Sequence, residues 1–579
     1  MALKLFNTLS RSIQEFAPLN PPKVGMYCCG PTVYDFAHIG NWRTFVFGDL
    51  VRRYLEFKGF AVTHVMNITD VEDKIINRVR KQKITLSEFT TKYQAAFFED
   101  LKALNCLPPH QTPRATEHIP EIIALIEKLV ARGVAYQSSD GSVYFSIEKY
   151  RGCGCNYGQL LTLDFESYPV GRRVTDDEYQ KESYGDFALW KAWTEKDWEV
   201  SWDSPWGKGR PGWHIECSAM SMKALGETFD LHLGGEDLKF PHHEDEIAQS
   251  EGATGKPFVK HWMHGAHLLV EGKKMSKSLG NYFTLRDLLA KGFTGREIRY
   301  LLLTAHYRET FNFTMEGLHG AKAALARIDE CIGKLRELGR DALPCVHADP
   351  GSNSATMIQV NAAQFGAEIV HLTGLKIEDD VISILPRDVA KKYRVIPIFK
   401  AGGKIAVAIA DPSDLNTIDF LTHFLNAEIE LRVASEPDIE AALDKYYGVE
   451  KKGAGDKHAV PANLVEQFST ALDDDLNISA AWGAVFDWVR ETNKRIAESS
   501  LSANDAATNL AAWNKIDSVL GIGTKSEADI PVEIVALLEA RQAARKAKDF
   551  KKADAIRDEL KAKGWVIEDT PKGPKLKKM

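Results

Sequence analysis

Residues 24–55, VGMYCCGPTVYDFAHIGNWRTFVFGDLVRRYL, decide the fold of this chain. The short apolar run at 24–29 predicts a buried strand, which the turn residues Gly30 and Pro31 bring to an end. The segment that follows predicts a helix with one apolar face, formed by Phe47, Val51, Tyr54 and Leu55. A second apolar run at 61–65 predicts another strand. Strand, helix and strand in this order indicate a parallel pair with a crossover, and therefore an α/β layer suited to nucleotides.

The composition is that of a globular protein with several domains. The chain has 579 residues, of which 44% are hydrophobic and 26% are charged. Its first residues lack the apolar core of a secretory signal, and no apolar run approaches the roughly 18 residues that cross a bilayer. Eight cysteines in a chain of this length do not indicate a disulfide framework. We therefore expect a cytoplasmic protein without a membrane partner, whose thiolates can serve as metal ligands.

Net charge does not indicate a nucleic-acid partner, because the chain carries a formal charge of −7. An RNA would have to be held by a local basic surface. The C-terminal residues 541–579 offer one, with 13 Lys or Arg against 6 Asp or Glu. On charge alone, the simpler interpretation of this stretch is a solvated helix followed by a basic tail.

Two short motifs predict an ATP site. The first, HIGN, begins at His38, where the first helix should start, and a helix N-terminus suits a phosphate. Gly40 lets a nucleotide approach the backbone, while His38 can donate hydrogen bonds to phosphate oxygens. The second, KMSKS, has Lys274 and Lys277 in a loop that can fold over a triphosphate. Either motif alone is weak evidence, because most such histidines only begin a helix and such a pentapeptide can be a solvated loop.

The two motifs in this order resemble the HIGH and KMSKS signatures of class I aminoacyl-tRNA synthetases. The resemblance implies a transition state in which an amino-acid carboxylate attacks the α-phosphate of ATP and pyrophosphate leaves. The residues implied to stabilise it are His38, Gly40, Asn41, Lys274 and Lys277. No covalent enzyme intermediate is needed, because catalysis then consists of positioning and electrostatic stabilisation.

A metal site is predicted from four side chains that are scattered in the sequence. His242 and Glu246 are four residues apart on a predicted helix that begins near Pro241, so they face the same direction. Taken alone, such a pair usually lies on a solvent-exposed helix face and binds no metal. Cys29, at the carboxyl end of the first strand, and Cys217 add soft ligands, and ligands collect at such strand ends. Two thiolates, an imidazole and a carboxylate suit tetrahedral zinc better than calcium or magnesium.

Longer motifs around these positions resemble the cysteinyl-tRNA synthetase family. They are CGPTVYD at 29–35, NITD at 67–70, GRPGWHIEC at 209–217, HLGGED at 232–237 and FPHHE at 240–244. The resemblance implies one zinc ion per chain, joined by the sulfur of substrate cysteine and bound by Cys29, Cys217, His242 and Glu246. The residues implied to line the amino-acid pocket are Thr69, Trp213, His232 and Asp237, and Gly235 and Asp237 are also implied at the adenosine.

Zinc would explain how such an enzyme separates cysteine from serine. The two amino acids differ by one atom, and a pocket that selects by shape discriminates by only a few kcal/mol. Sulfur ionises on zinc much more readily than a hydroxyl does, so no separate editing domain is needed. The structural alternative is a closed zinc site with four protein ligands that holds two lobes together.

The C-terminal part resembles the helical bundle and the anticodon-binding tail of the same family. FSTALDDDLN at 468–477 precedes a helix whose apolar face holds Ala481, Val485, Trp488 and Val489. In the tail, the pattern implies that anticodon bases are recognised by Arg545, Asp554 and Asp569. Acidic side chains accept hydrogen bonds from base amino groups, while Lys and Arg hold phosphates. The resemblance thus favours an RNA-binding tail over the solvated helix.

Residues 341–458 form a segment that the family lacks. Four stretches in it, at 369–372, 385–398, 407–412 and 434–442, resemble the amino-terminal domain of type II secretion and pilus-assembly ATPases. An interaction or spacer domain without a catalytic role is the simpler interpretation, and the sequence names no partner for it. Its position between stem and bundle raises a second hypothesis, that it alters how the tRNA is held.

The sequence therefore predicts an α/β enzyme with a Rossmann-type parallel-sheet catalytic domain and several appended domains. The predicted bounds are 1–300 for the catalytic domain with a connective insertion at about 110–205, 301–340 for a helical stem-contact region, 341–458 for the inserted α/β domain, 459–530 for the helical bundle and 531–579 for the tail. The implied substrates are L-cysteine, ATP with Mg²⁺ and cysteine tRNA, and we expect a monomer. Two alternatives remain: the cysteine ligase of mycothiol synthesis, which would not require the tail, and a zinc-stabilised interaction protein without catalysis.

Overall fold

In the computed structural model of this chain, the described residues are 2–161, 185–339, 368–447, 461–523 and 532–578, with short gaps in the third and last of these ranges. The chain forms two compact units, one of Met1–Asp341 with Val460–Met579 and one of Ala342–Ala459. Within the described residues, no helix combines the length and the apolar character that spanning a membrane requires.

A four-stranded parallel sheet forms the centre of the larger unit. In spatial order its strands are Val259–Gly265, Phe229–Gly235, Lys23–Cys28 and Ala61–Met66. The helix Ile39–Phe57, called the first helix below, connects Lys23–Cys28 to the neighbouring parallel strand. Its predicted apolar face is buried, because Phe47, Val51, Tyr54 and Leu55 are each at most 4% exposed. The predicted Rossmann-type α/β fold is therefore confirmed.

The strand Lys23–Cys28 ends directly before Cys29, so this cysteine lies at the carboxyl edge of the sheet. Two helices bring further side chains to the same edge, Trp213–Leu225 and Glu244–Thr254. The remaining helices of this part of the chain are Asp73–Gln82, Leu86–Ala103, Ile119–Ala131, Ile147–Gly152, Leu285–Ala290, Gly295–Leu302 and Met315–Gly339.

Among the described residues up to 339, three smaller sheets accompany the central one. Lys4–Asn7 and Ser12–Glu15 form an antiparallel hairpin. Leu268–Val270 pairs with Lys273–Lys274 and with Phe311–Phe313. An antiparallel sheet in the region of the predicted connective insertion contains Ala135–Gln137, Val143–Phe145, Phe187–Ala192 and Gly209–Pro211. Its last strand lies beyond the predicted end near 205, and that boundary stays a prediction.

Three described helices after residue 460 pack with one another, and the second and third of them also pack with Met315–Gly339. They are Pro461–Asp473, Ile478–Ala497 and Ala503–Leu520. The predicted apolar face of the second helix is buried, including Val485 and Trp488. The tail consists of two helices and an antiparallel hairpin, namely Val532–Lys546, Phe550–Ala562, Trp565–Thr570 and Gly573–Lys578.

The smaller unit is an α/β domain with its own apolar core. Its four-stranded mixed sheet has the order Glu368–Ile369, Glu428–Val433, Lys404–Ile409 and Ile396–Ala401. The helices described in it are Asp379–Ile382 and Glu436–Tyr447.

The acidic turn after Pro461–Asp473 joins the helical bundle to the catalytic part of the unit. Asp475 is buried, and its Oδ1 accepts hydrogen bonds from the backbone N–H of Phe6 at 2.8 Å and from the Tyr307 hydroxyl at 2.6 Å. Its Oδ2 pairs with Arg308 at 2.7 Å. Asp473 accepts a hydrogen bond from the Tyr54 hydroxyl on the first helix at 2.7 Å. These buried carboxylates fix the bundle against the catalytic domain.

We expect the Asp475→Asn variant to lower the free energy of unfolding by about 3 kcal/mol, because it removes the charge that Arg308 faces. Asparagine keeps the shape and tolerates the left-handed backbone of this residue, whose φ is 51°. Urea unfolding followed by tryptophan fluorescence measures the change. The matched control is Asp474→Asn, since Asp474 is exposed. An equal loss of unfolding free energy in both variants would contradict the role of Asp475 in fixing the bundle against the catalytic domain.

Candidate active site and metal centre

Three elements that are distant in sequence bring the four predicted metal ligands together. Cys29 follows the strand Lys23–Cys28, and Cys217 lies in the helix Trp213–Leu225. Glu246 is in the first turn of Glu244–Thr254, and His242 lies in the π-helical turn directly before it. The helix thus begins two residues after His242, later than the sequence predicts. In the turn Lys239–His243 before it, the backbone is non-helical at Phe240.

The four ligand atoms lie within 4.8 Å of one another. The Sγ atoms of Cys29 and Cys217 are 4.0 Å apart, and the Cys29 Sγ is 3.7 Å from the Glu246 Oε1. The His242 Nε2 is 3.0 Å from the same carboxylate oxygen. Tetrahedral zinc, with ligand distances of about 2.0–2.3 Å, separates its ligand atoms by about 3.5 Å. The donor set and its spacing therefore fit a zinc ion with little rearrangement.

The charges of the cluster also favour a bound cation. The hydrogen bond with Cys29 lowers the pKa of Cys217 to about 6, so this sulfur is largely a thiolate at neutral pH. Burial raises the pKa of Cys29, which keeps the second sulfur protonated. Burial would also raise the pKa of Glu246, but His232 and His242 lower it to about 2. A thiolate and a carboxylate in a buried site require positive charge beside them. Burial lowers the pKa of His242, but Glu246 and Cys217 raise it well above its ordinary value, so the protonated ring supplies part of that charge and a metal ion would replace its proton.

His243 supplies an alternative ligand that the sequence analysis missed. Its Nε2 is 3.3 Å from the Cys29 Sγ, and together with His232 and Glu246 it forms a second group of possible ligands. Its Nδ1 is 2.8 Å from the His264 Nε2. Burial lowers the pKa of His243, so its ring is neutral. The two groups share Cys29 and Glu246 and are therefore two ways to complete one centre.

A second layer of side chains holds the His242 ring. His214 lies 2.8 Å away, Nδ1 to Nδ1, and its Nε2 is 3.5 Å from Asp245 Oδ2. The Tyr157 hydroxyl donates a hydrogen bond to Asp245. Because the Nδ1 of His242 has this partner, its Nε2 is directed at the carboxylate of Glu246, as expected for a metal-binding histidine.

Glu244 anchors the helix that presents Glu246. Its carboxylate accepts the backbone N–H groups of Gly158, Gln159 and Leu160 at 2.6, 2.9 and 2.9 Å. These residues belong to the segment that leads into 162–184, which lies outside the described residues. The helix start is therefore fixed by contacts that only the tertiary structure creates.

Of the predicted pocket residues, Trp213 and His232 contact the metal cluster directly. Thr69 is buried, and its Oγ1 accepts a hydrogen bond from the Asn67 Nδ2 at 3.1 Å. The Oδ1 of Asn67 accepts one from the backbone N–H of Gly30, next to Cys29, at 2.8 Å. Trp213 is 39% exposed and stacks on His242, with ring centroids 4.6 Å apart.

Two more pocket residues lie on or beside the strand Phe229–Gly235. The His232 Nε2 is 2.9 Å from the Glu246 Oε2, and its ring stacks on Trp262. A Cβ added at Gly235 would lie 2.4 Å from the Asp237 Oδ1 and 3.6 Å from the Thr44 Oγ1 of the first helix. Gly235 thus permits a close approach between the Asp237 side chain and the start of the adjacent helix.

The HIGN motif begins the first helix, as predicted. His38 is the N-cap residue, and its Nδ1 accepts a hydrogen bond from the backbone N–H of Asn41 at 3.2 Å. The Asn41 Oδ1 accepts one in return from the His38 backbone N–H at 3.1 Å. Since Nδ1 is an acceptor here, the neutral imidazole carries its proton on Nε2.

The KMSKS loop contacts this helix start. A Cβ added at Gly40 would lie 3.0 Å from the His38 ring and 3.3 Å from the Met275 Cε. A side chain at this position would therefore press on the histidine ring and on the loop. Lys274 is exposed, and Lys277 begins the 3₁₀ turn Lys277–Leu279. The side chain of Lys277 lies outside the described residues.

The predicted anticodon residues lie in the tail. Arg545 is exposed at the end of Val532–Lys546, and Asp554 is exposed in Phe550–Ala562, where it pairs with Arg557 at 3.0 Å. Asp569 belongs to the strand Trp565–Thr570, and its side chain lies outside the described residues. Their role in base recognition stays a prediction.

Comparisons with known families agree with this arrangement. Residues 15–323 match the tRNA synthetases class I (C) catalytic domain, and residues 467–524 match the DALR domain. Residues 527–574 match the cysteinyl-tRNA ligase anticodon binding domain. Residues 365–453 match the MshEN domain, which confirms that the chain holds an inserted domain of a second family.

Whole proteins match along the entire chain. The cysteine–tRNA ligase of Chlamydia muridarum (strain MoPn / Nigg) is 40% identical over 588 residues, which cover 100% of each chain. That of Protochlamydia amoebophila (strain UWE25) is 38% identical over 581 residues, covering 100% of this chain and 98% of the relative. Among solved structures, Mycobacterium tuberculosis methionyl-tRNA synthetase in complex with methionyl-adenylate has a TM-score of 0.43 at 12% identity, covering 86% of this chain and 93% of that one. Because identity at this level extends over the full chain and the family domains follow in order, the chain belongs to the cysteine–tRNA ligase family.

Proposed function

We propose that this chain activates L-cysteine with ATP, releases pyrophosphate and transfers the cysteine to the 3′ end of cysteine tRNA. Its membership of the cysteine–tRNA ligase family supports the overall reaction. The observation that supports the site is the convergence of Cys29, Cys217, His242 and Glu246 beside the pocket residues. The mycothiol-type ligase and the non-catalytic scaffold are not favoured, because the tail matches an anticodon-binding domain.

The nucleotide motifs hold the triphosphate in this proposal. His38, with its proton on Nε2, donates a hydrogen bond to a phosphate oxygen of ATP as negative charge develops there. Gly40 leaves room for the phosphate at the helix N-terminus, whose partial positive charge adds to the stabilisation. Lys274 and Lys277 neutralise the pyrophosphate that leaves with its Mg²⁺.

The amino-acid pocket is formed at the metal cluster. Zinc held by the four ligands would supply a Lewis acid that binds the cysteine sulfur as a thiolate and binds a serine hydroxyl poorly. The Asn67 Nδ2 donates a hydrogen bond to the Thr69 Oγ1. Because the oxygen accepts this bond, the hydroxyl proton of Thr69 points away from Asn67 and can be donated to the substrate. Trp213 covers His242 and closes the pocket on one side.

We also propose that the enzyme is a cytoplasmic monomer whose tail, 531–579, binds the anticodon. The predicted domain bounds belong to the same proposal. The inserted domain 341–458 takes no part in catalysis, because the residues proposed for the reaction all lie in the larger unit.

Removing a ligand tests the metal site. In the Cys217→Ser variant we expect the zinc content of the purified protein, measured by atomic emission, to fall well below one per chain. Cysteine charging should fall by roughly 100-fold or more, since even changes of residues that only support metal ligands cost 10–100-fold. The matched control is Cys155→Ser, because Cys155 is an exposed thiol. Full zinc content in Cys217→Ser would exclude this ligand set.

Replacing an exposed basic residue in the tail tests tRNA recognition. We expect Arg545→Ala to raise the KM for cysteine tRNA about tenfold, as the loss of one base or phosphate contact does. Cysteine-dependent exchange of pyrophosphate into ATP, which needs no tRNA, should not change. Lys256→Ala is the control, because Lys256 is an exposed lysine of the catalytic domain that forms an ion pair with Glu227. The same rise in both variants would indicate a non-specific effect of charge.

Deleting the inserted domain tests its role. When residues 342–459 are replaced by a short Gly/Ser linker, we expect unchanged pyrophosphate exchange and unchanged charging, since the deleted unit has its own core. Kinetics with cysteine tRNA provide the measurement. An altered KM for the tRNA, with normal exchange, would instead support the hypothesis that the domain changes how the tRNA is held.

A further inference from the structure

The residues that follow the KMSKS motif connect it directly to the HIGN motif. Asn281 closes the KMSKS loop, because its Oδ1 accepts the backbone N–H of Ser276 at 2.8 Å and its Nδ2 donates to the carbonyl of Lys274 at 3.2 Å. The Nδ2 also approaches the carbonyl of Val270 at 3.4 Å. One amide side chain thus ties both ends of the loop together.

The chain then crosses the start of the first helix. The carbonyl of Phe283 accepts the backbone N–H of Ile39 at 3.0 Å, and Thr284 pairs with His38 as an antiparallel β-bridge. Thr284 in turn caps the next helix, Leu285–Ala290. The segment 281–284 is therefore held at both ends, and its position is fixed relative to His38.

Between these anchors, the ring of Tyr282 lies against the imidazole of His38. The ring centroids are 5.4 Å apart and the planes meet at 77°, which is a favourable edge-to-face geometry. The His38 ring is thus constrained twice, through its Nδ1 by the N–H of Asn41 and through its plane by Tyr282. The hydrogen bond restricts rotation of the imidazole and the ring contact restricts its tilt, so both favour one direction of Nε2.

From these contacts we infer that Tyr282 is a positioning residue for His38 in the activation of cysteine. It acts by holding the imidazole so that the Nε2 proton meets the phosphate of ATP, and it touches neither substrate. The inference rests on the role proposed above for His38. It also connects the two motifs physically: the loop proposed to hold the pyrophosphate and the ring proposed to hold the phosphate both contact the segment 281–284.

A double-mutant cycle on the full chain tests this inference. The readout is the kcat of cysteine-dependent pyrophosphate exchange, with the KM for cysteine and the zinc content measured in parallel. We expect Tyr282→Leu to lower kcat by about five- to tenfold, the effect of losing one aromatic pair, with KM for cysteine and zinc unchanged. Tyr282→Phe should keep the wild-type kcat, because phenylalanine keeps the aromatic ring that lies against His38. In a His38→Ala background, Tyr282→Leu should have no further effect.

Phe16→Leu is the matched control, because the ring of Phe16 lies against the imidazole of His261 in nearly the same geometry, at 5.5 Å and 72°, away from both motifs. Its kcat should stay at the wild-type value. The inference is overturned if Tyr282→Leu leaves kcat unchanged, or if it lowers kcat equally with and without His38. If His38→Ala itself keeps normal exchange, the role proposed for His38 fails, and the positioning role fails with it.

Discussion

The buried carboxylate of Glu246 is the group on which the whole site depends. A charge with no access to water must be paired, and here the partners are His232 at 2.9 Å and His242 at 3.0 Å. Cys29 approaches the same group from the carboxyl edge of the sheet. The strands of a parallel sheet all end at one edge, and the residues that follow them therefore lie close together there. The proposed metal site thus lies at the position where this type of sheet collects ligands.

The active site also depends on a second junction, between two motifs far apart in the sequence. Gly40 lies between the His38 ring and Met275, so a side chain at this position would press on both the helix start and the loop. The contacts across the junction come mainly from the backbone, such as the hydrogen bond between Ile39 and Phe283. Residues with no role in the chemistry therefore determine where the chemical groups lie.

The sequence was sufficient to predict a parallel α/β layer and the first helix, because periodicity is a local signal. The cluster of Cys29, Cys217, His242 and Glu246 was predicted from soft-ligand chemistry together with the resemblance to cysteinyl-tRNA synthetases, because the spacing of these residues alone does not bring them together. The sequence did not predict the layer behind them, formed by His214, Asp245 and Tyr157. Those hydrogen bonds join residues far apart in the chain, and no spacing rule links them. His243 was missed although it stands beside His242, since only the packed structure shows which of two adjacent rings faces Cys29. The start of the Glu244–Thr254 helix also differs from the prediction because Phe240 leaves helical geometry.

The inserted unit divides the larger unit into two stretches of sequence, and this order has a consequence during synthesis on the ribosome. The helix Met315–Gly339 packs against Ile478–Ala497 and Ala503–Leu520, which are translated only after the inserted unit. At about 5–20 residues per second, this helix emerges several seconds before these partners exist. The part of this helix that Gly295–Leu302 does not cover is then open to water or to chaperones. The nascent catalytic domain must therefore remain soluble with an incomplete core while a separate domain is translated.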